Sequence, residues 1–215
     1  MSAVETFVSC LPEVAPPTQK RLSFQEKLKW TLVTLVLFFI LGMIPLYGLG
    51  QNELNRFEIL SIILGASFGS IISLGIGPIV TASIVLQLLK GANIIKFDVV
   101  SKEGRQRFQA IQKALAIFFI LFEALIYVFM GGLAPAQDLA GTAAYFQLEL
   151  ILVAQLFIGG MIILLMDEVV SKWGFGSGIS LFIAAGVSQQ VFIRALSFLH
   201  TSKNPDIFVG EIPEL

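Results

Sequence analysis

Charge is what this chain has least of. Lys, Arg, Asp and Glu make up 13% of its 215 residues and hydrophobic types 56%, whereas soluble domains carry about a quarter charged residues. Too little polar surface is available to clothe a water-soluble globule, and an integral membrane protein is expected. Cysteine and histidine occur once each, as Cys10 and His200. That excludes a disulfide framework and a metal site built from Cys or His ligands, and no cofactor is expected. A surplus of one charge sign is also lacking. The formal net charge is -1, and the basic residues follow the order of the apolar segments rather than gathering in a stripe, which argues against direct nucleic-acid binding. The first 25 residues hold Glu5, Glu13, Pro12, Pro16 and Pro17 and no long apolar run. They are not expected to act as a cleavable signal peptide, so the first span would serve for targeting.

What the sequence does have is apolar length. Candidate helices run from about Trp30 to Leu49, Phe108 to Met130, Ala143 to Met166 and Ile179 to Leu199, each long enough at 1.5 Å per residue to cross about 30 Å of hydrocarbon. The block from Ile59 to Leu89 does not fit that scheme. As one helix it would measure about 47 Å, while two spans and a turn would need more than about 40 residues. It is expected to cross once, in two pieces. Phe57 to Phe68 reads as a re-entrant half-helix of about 18 Å, Gly69 to Gly77 as the break, and Pro78 as the first turn of a second helix ending at Leu89 or Lys90, since proline suits a position whose N–H needs no partner.

The cations support this count. Lys20, Arg21, Lys27 and Lys29 precede the first span, Lys90, Lys96, Lys102, Arg105, Arg107 and Lys113 follow the broken segment, and Lys172 follows the fourth block. A single broken crossing puts these on one face and leaves Arg56, Arg194 and Lys203 for the other, the asymmetry of a cytoplasmic side. The expected arrangement is a cytoplasmic segment 1–29, a five-helix membrane unit 30–199 and an extracytoplasmic segment 200–215.

Broken backbone at membrane depth is tolerated only where it is buried in protein or lines a water-filled cavity, so the break hints at a pathway. Close helix packing through Gly65 and Gly69 is the alternative reading. A second glycine-rich stretch, "GFGSG" at 174–178, also precedes a helix. Ile76 and Val80 in the first case, and Ile179 and Ile183 in the second, are four residues apart and share a helix face; spacing alone favours reading them as ordinary lipid-facing or core residues. Glu123 lies within a span, where a carboxyl group is costly and normally faces the protein interior or a cavity. Asp167 and Glu168 read as a solvated helix end. Ser177 and His200 stand about 34 Å apart along the last helix, which excludes a nucleophile–base pair, and the glycine stretches lack the lysine of a phosphate-binding loop. No enzyme is expected.

These stretches carry a resemblance. "PEV", "LSFQEKLKW", "LGIGPIVTASIVLQLL" and "DEVVSKWGFGSGISLFIAAGV" resemble the N-terminal half of the SecY family, in its archaeal form, over essentially the whole chain, with little family signal in 131–142 and after Arg194. The resemblance implies an all-α membrane protein with five transmembrane helices and a re-entrant plug half-helix, one half of a ten-helix inverted-repeat channel. It places Phe57, Ile59, Leu60, Ile63, Leu64 and Phe68 in the plug. Ile76, Val80, Ile179 and Ile183 fall in an apolar pore ring, and Thr81, Gln87 and Glu123 at the lateral gate. It implies passive passage of signal-bearing polypeptides across or sideways into the membrane, in a multi-pass protein of the plasma membrane with a cytoplasmic N-terminus. The implied partners are SecE-type and small beta-type Sec subunits, a ribosome, signal sequences and nascent polypeptides, membrane lipid, and the missing C-terminal half of the same channel. The alternatives are half of an inverted-repeat secondary transporter, whose break would carry polar ligands where this one carries Ile76, Ile79 and Val80, and a structural membrane scaffold.

Overall fold

A computed structural model of the chain describes residues 12–17, 22–50, 69–92, 94, 101–136, 140–196, 200–201 and 204–208. The six plug positions and Cys10 lie outside the described residues. Within them the chain forms five α-helices, α1 (Phe24–Met43), α2 (Gly77–Gly91), α3 (Lys102–Phe129), α4 (Ala143–Trp173) and α5 (Gly178–Leu196), then a hairpin of β1 (His200–Thr201) and β2 (Asn204–Phe208).

The ends of α1 correct the expected Trp30–Leu49. Ser23 accepts from the Glu26 N–H and Glu26 reaches back to the Ser23 N–H, a capping box that starts the helix at Phe24, within the charged segment. Pro45 stops it early. A residue before proline is driven out of the helical region, and Ile44 is extended with φ -84° and ψ 111°. By contrast α2 begins at Gly77 with Pro78 in its first turn, where the sequence predicts it. The hairpin is a departure from an all-α chain. His200 stands opposite Phe208 and Thr201 opposite Asn204; Ile207 and Phe208 favour extended backbone, and an edge strand tolerates Pro205, which has no N–H to donate.

α4 is the centre of the packing, touching α1, α3 and α5, while α2 lies along α3. One apolar core joins them, with Leu152, Leu156, Ile163 and Val170 of α4 against Ile120 and Ala124 of α3 and Phe38 of α1. Phe38 stacks on Phe182 of α5 with centroids 5.0 Å apart. α1 is inside-out by the standards of a soluble helix. Thr31 and Thr34 are buried while Leu32, Val33, Val36 and Ile40 are exposed, and both hydroxyls donate to carbonyls one turn back, Lys27 at 2.8 Å and Trp30 at 2.7 Å. Such polarity suits an apolar solvent, where a hydroxyl must be satisfied internally. Residues Gln106–Phe129 of α3 and the whole of α4 are each long and apolar enough to cross a membrane.

Candidate functional site

The glycine break is built from two non-helical stretches, 44–50 and 69–76, which meet to form a collar. Pro45 and Ser70 pair in an antiparallel bridge; the Leu46 N–H donates to the Gly69 carbonyl at 2.8 Å and the Ile71 N–H to the Ile44 carbonyl at 3.0 Å. Gly69 adopts φ +84°, a conformation that side chains beyond glycine resist. The Ser73 hydroxyl donates to the Ser70 carbonyl at 2.6 Å, and the Gly50 N–H to the Ala134 carbonyl at 2.9 Å. Gln155 of α4 accepts from the Tyr47 N–H and donates to the Tyr47 carbonyl. Backbone broken inside an apolar environment is here met by other backbone, by the Ser73 hydroxyl and by one carboxamide, as its desolvation demands. α4 approaches the collar so closely that a Cβ on Gly159 would lie 1.9 Å from the Ile71 carbonyl oxygen.

The collar feeds directly into α2. Ile76 sits at its N-cap, where its carbonyl accepts from the Ile79 and Val80 N–H groups. Ile76 and Ile179 are both partly buried against the common core, and Val80 is half-buried. Ile183 is 48% exposed, so that end of the α5 pair turns away from the core of this chain. Of the residues assigned to the gate, Glu123 of α3 comes to the start of α2, its Oε2 3.6 Å from the point a Cβ on Gly77 would occupy. Thr81 is half-buried one turn along α2. Gln87 is exposed and donates to the Ser83 hydroxyl at 3.0 Å, further down the same helix.

Asp167 and Glu168 are not a solvated helix end. α4 continues to Trp173, and both carboxylates are engaged. Asp167 accepts from the Ile179 N–H at 2.9 Å. Glu168 is gripped by Lys113 of α3 at 2.7 Å and Lys172 at 2.8 Å. The same lysines hold the N-terminal segment, Lys172 pairing with Glu13 at 2.8 Å and donating to the Val14 carbonyl. Lys113 donates to the Pro12 carbonyl, and the Trp173 indole N–H to the Ala15 carbonyl at 2.9 Å. Sequence reasoning passed over Gln155, counted Lys113 only among the cations of one face, and did not foresee the contact of Asp167 with the Ile179 amide. A lone polar side chain in an apolar run, as in "LVAQLF" around Gln155, is itself a signal that it faces a protein partner.

Fold and site together define a multi-pass α-helical membrane protein with a hydrogen-bonded break in one of its apolar segments. The family model for SecY matches residues 70–213, reaching past Arg194, where the motifs had faded. The chain belongs to the SecY family. It is 50% identical to the protein translocase subunit SecY of Methanothermobacter thermautotrophicus over 208 residues, 97% of this chain and 44% of that protein. It is 39% identical to the SEC61 subunit alpha protein transport protein of Debaryomyces hansenii, over 95% of this chain and 41% of that one. A solved protein-conducting channel superposes with a TM-score of 0.75 at 41% identity, covering 88% of this chain and 42% of its own. A SecY structure concerned with the plug domain and the closed state gives 0.76 at 42% identity, covering 88% of this chain and 41% of its own. The chain therefore spans less than half the length of the relatives it matches. These relatives give no support to the transporter alternative.

Proposed function

We propose that this chain supplies the N-terminal part of the central pore subunit of a protein translocation channel, passing signal-bearing polypeptides across the membrane or sideways into it. The observation that carries the reading is the collar, a hydrogen-bonded interruption in an apolar segment from which an aliphatic pair, Ile76 and Val80, emerges at the start of a helix. Branched aliphatic side chains seal a constriction by excluding water and hold no particular peptide sequence, so they suit a passive pore. In this reading Ile76, Val80, Ile179 and Ile183 line one ring, completed by the C-terminal half of the channel. Residues 57–68 plug it, and Thr81, Gln87 and Glu123 border the lateral gate. The chain crosses five times from a cytoplasmic N-terminus. SecE-type and small beta-type subunits brace it, and a ribosome drives the substrate, as the relation to Sec61 in a canine ribosome-channel complex supports.

The test is photocrosslinking in the complete channel. Probes at 76, 80, 179 and 183 should each capture a translocation-arrested precursor in a signal-dependent way, and a probe at exposed Val36 of α1 should not. Capture at Val36 alone would overturn the reading.

A further inference from the structure

We propose that Asp167 is a positioning residue for the constriction, holding the first turn of α5 so that Ile179 and Ile183 stand at a fixed place relative to α4. The inference rests on the pore-ring reading above and adds to it the residue that sets half of the ring. Asp167 belongs to α4, yet its carboxylate is directed at the start of the next helix, accepting from the Ile179 N–H at 2.9 Å and also from the Gly178 N–H. The first N–H groups of a helix have no partner within it, and a carboxylate there satisfies them and complements the helix dipole. The fit leaves no slack. A Cβ on Gly178 would come 2.6 Å from Oδ1 and 2.7 Å from Cα of Asp167, so the two backbones are in near contact at this point. The neighbouring charges do not compete for the same role, since Glu168 takes Lys113 and Lys172 and leaves Asp167 to the two amides.

The consequence reaches both ring pairs. α4 abuts the collar through Gly159 against the Ile71 carbonyl, five residues before Ile76. It abuts α5 through Asp167 against the amide of Ile179 itself. One helix thus gauges the spacing between the two aliphatic pairs, meeting the collar through the backbone at Gly159 and the carboxamide of Gln155, and meeting α5 through the carboxylate of Asp167.

The experiment uses the complete channel reconstituted with its partner subunits. It compares D167L, D167N, G178A, I179G and E168Q by resting ion conductance per assembled channel and by transport of a precursor with a defective signal sequence. D167L should raise resting conductance several-fold and admit the defective precursor, as I179G does. D167N keeps an oxygen that accepts from the same amides and should stay near wild type. G178A, which strains the contact from the α5 side, should reproduce D167L if D167L itself does not assemble. E168Q loosens the lysine cluster without touching α5, so it should change channel abundance and not conductance per channel. If I179G relaxes both readouts while D167L, or G178A in its place, leaves them at wild type, Asp167 does not position the ring and the ring reading stands. If I179G changes neither, the ring reading falls and takes this inference with it.

Discussion

The carboxamide of Gln155 spans the backbone of Tyr47, accepting from its N–H at 2.9 Å and donating to its carbonyl at 3.1 Å, across 108 residues of sequence. One side chain therefore satisfies both polar groups of a residue that has just left α1 and belongs to neither helix nor sheet. Gln155→Leu should remove both hydrogen bonds, at a cost of about 0.5–1.5 kcal/mol for each, seen as a lower unfolding temperature of the purified complete channel. Gln155→Glu keeps the acceptor and loses the donor, and should fall between leucine and wild type. A leucine variant as stable as the parent would show that the pair does not hold the collar.

Gly159 and Gly91 make a matched pair of tests. A methyl group on Gly159 would enter the backbone of Ile71, which cannot swing aside as a side chain can. Gly159→Ala should destabilise by about 1–3 kcal/mol, the usual range for overpacking. Gly91→Ala, with nothing within 4 Å of the added carbon, should change stability by less than about 0.5 kcal/mol. Equal unfolding temperatures for the two variants would refute the close approach of α4 to the collar.

The lysine cluster carries an order of effects. Lys113 and Glu168 are only 15% and 17% exposed, whereas Glu13 is 70% exposed. Removing Glu168 leaves the partly desolvated Lys113 without a carboxylate and Lys172 with only the exposed Glu13, so Glu168→Ala should cost more than Glu13→Ala, which breaks an exposed pair worth about 0–1 kcal/mol. High salt should diminish the Glu13 effect and leave most of the Glu168 effect. Denaturation of the assembled channel at low and high salt reads both, and the reverse order would contradict the arrangement.

Topology has a direct check. With Cys10 replaced by serine, a single cysteine at position 102 should react with a membrane-impermeant thiol reagent only from the cytoplasmic side, because the basic residues flanking the loop belong there. Reaction from the outer side alone would invert the proposed arrangement.

Much of the architecture was legible locally. Low charge and long apolar runs identified the solvent, the unfit length of Ile59–Leu89 located a break, and Pro78 marked where α2 begins. The start of α1 was equally local, written in Ser23 and Glu26, and was missed because apolar length rather than capping chemistry was followed. In the candidate site, Glu123 reads as a costly carboxyl within a span, and the structure brings it to the start of α2; Asp167 and Glu168 read as a solvated end and are instead engaged by the Ile179 amide and by Lys113 and Lys172.

What the sequence by itself determined about this protein is its solvent, its helical segments and the points where helices must stop. Those follow from hydrophobicity, which sums along a run of residues, and from the steric limits of glycine and proline, which act within a few residues. Only the tertiary structure decided which polar group answers which. Asp167 meets the Ile179 amide 12 residues on, Lys113 meets Glu168 55 residues on, and Gln155 meets Tyr47 108 residues back. In an apolar environment each of these groups must find a partner, but chain order does not dictate which one; that choice is made when packing brings α4 against the collar and the N-terminal half of α3, and the turn after Trp173 brings α5 back onto α4.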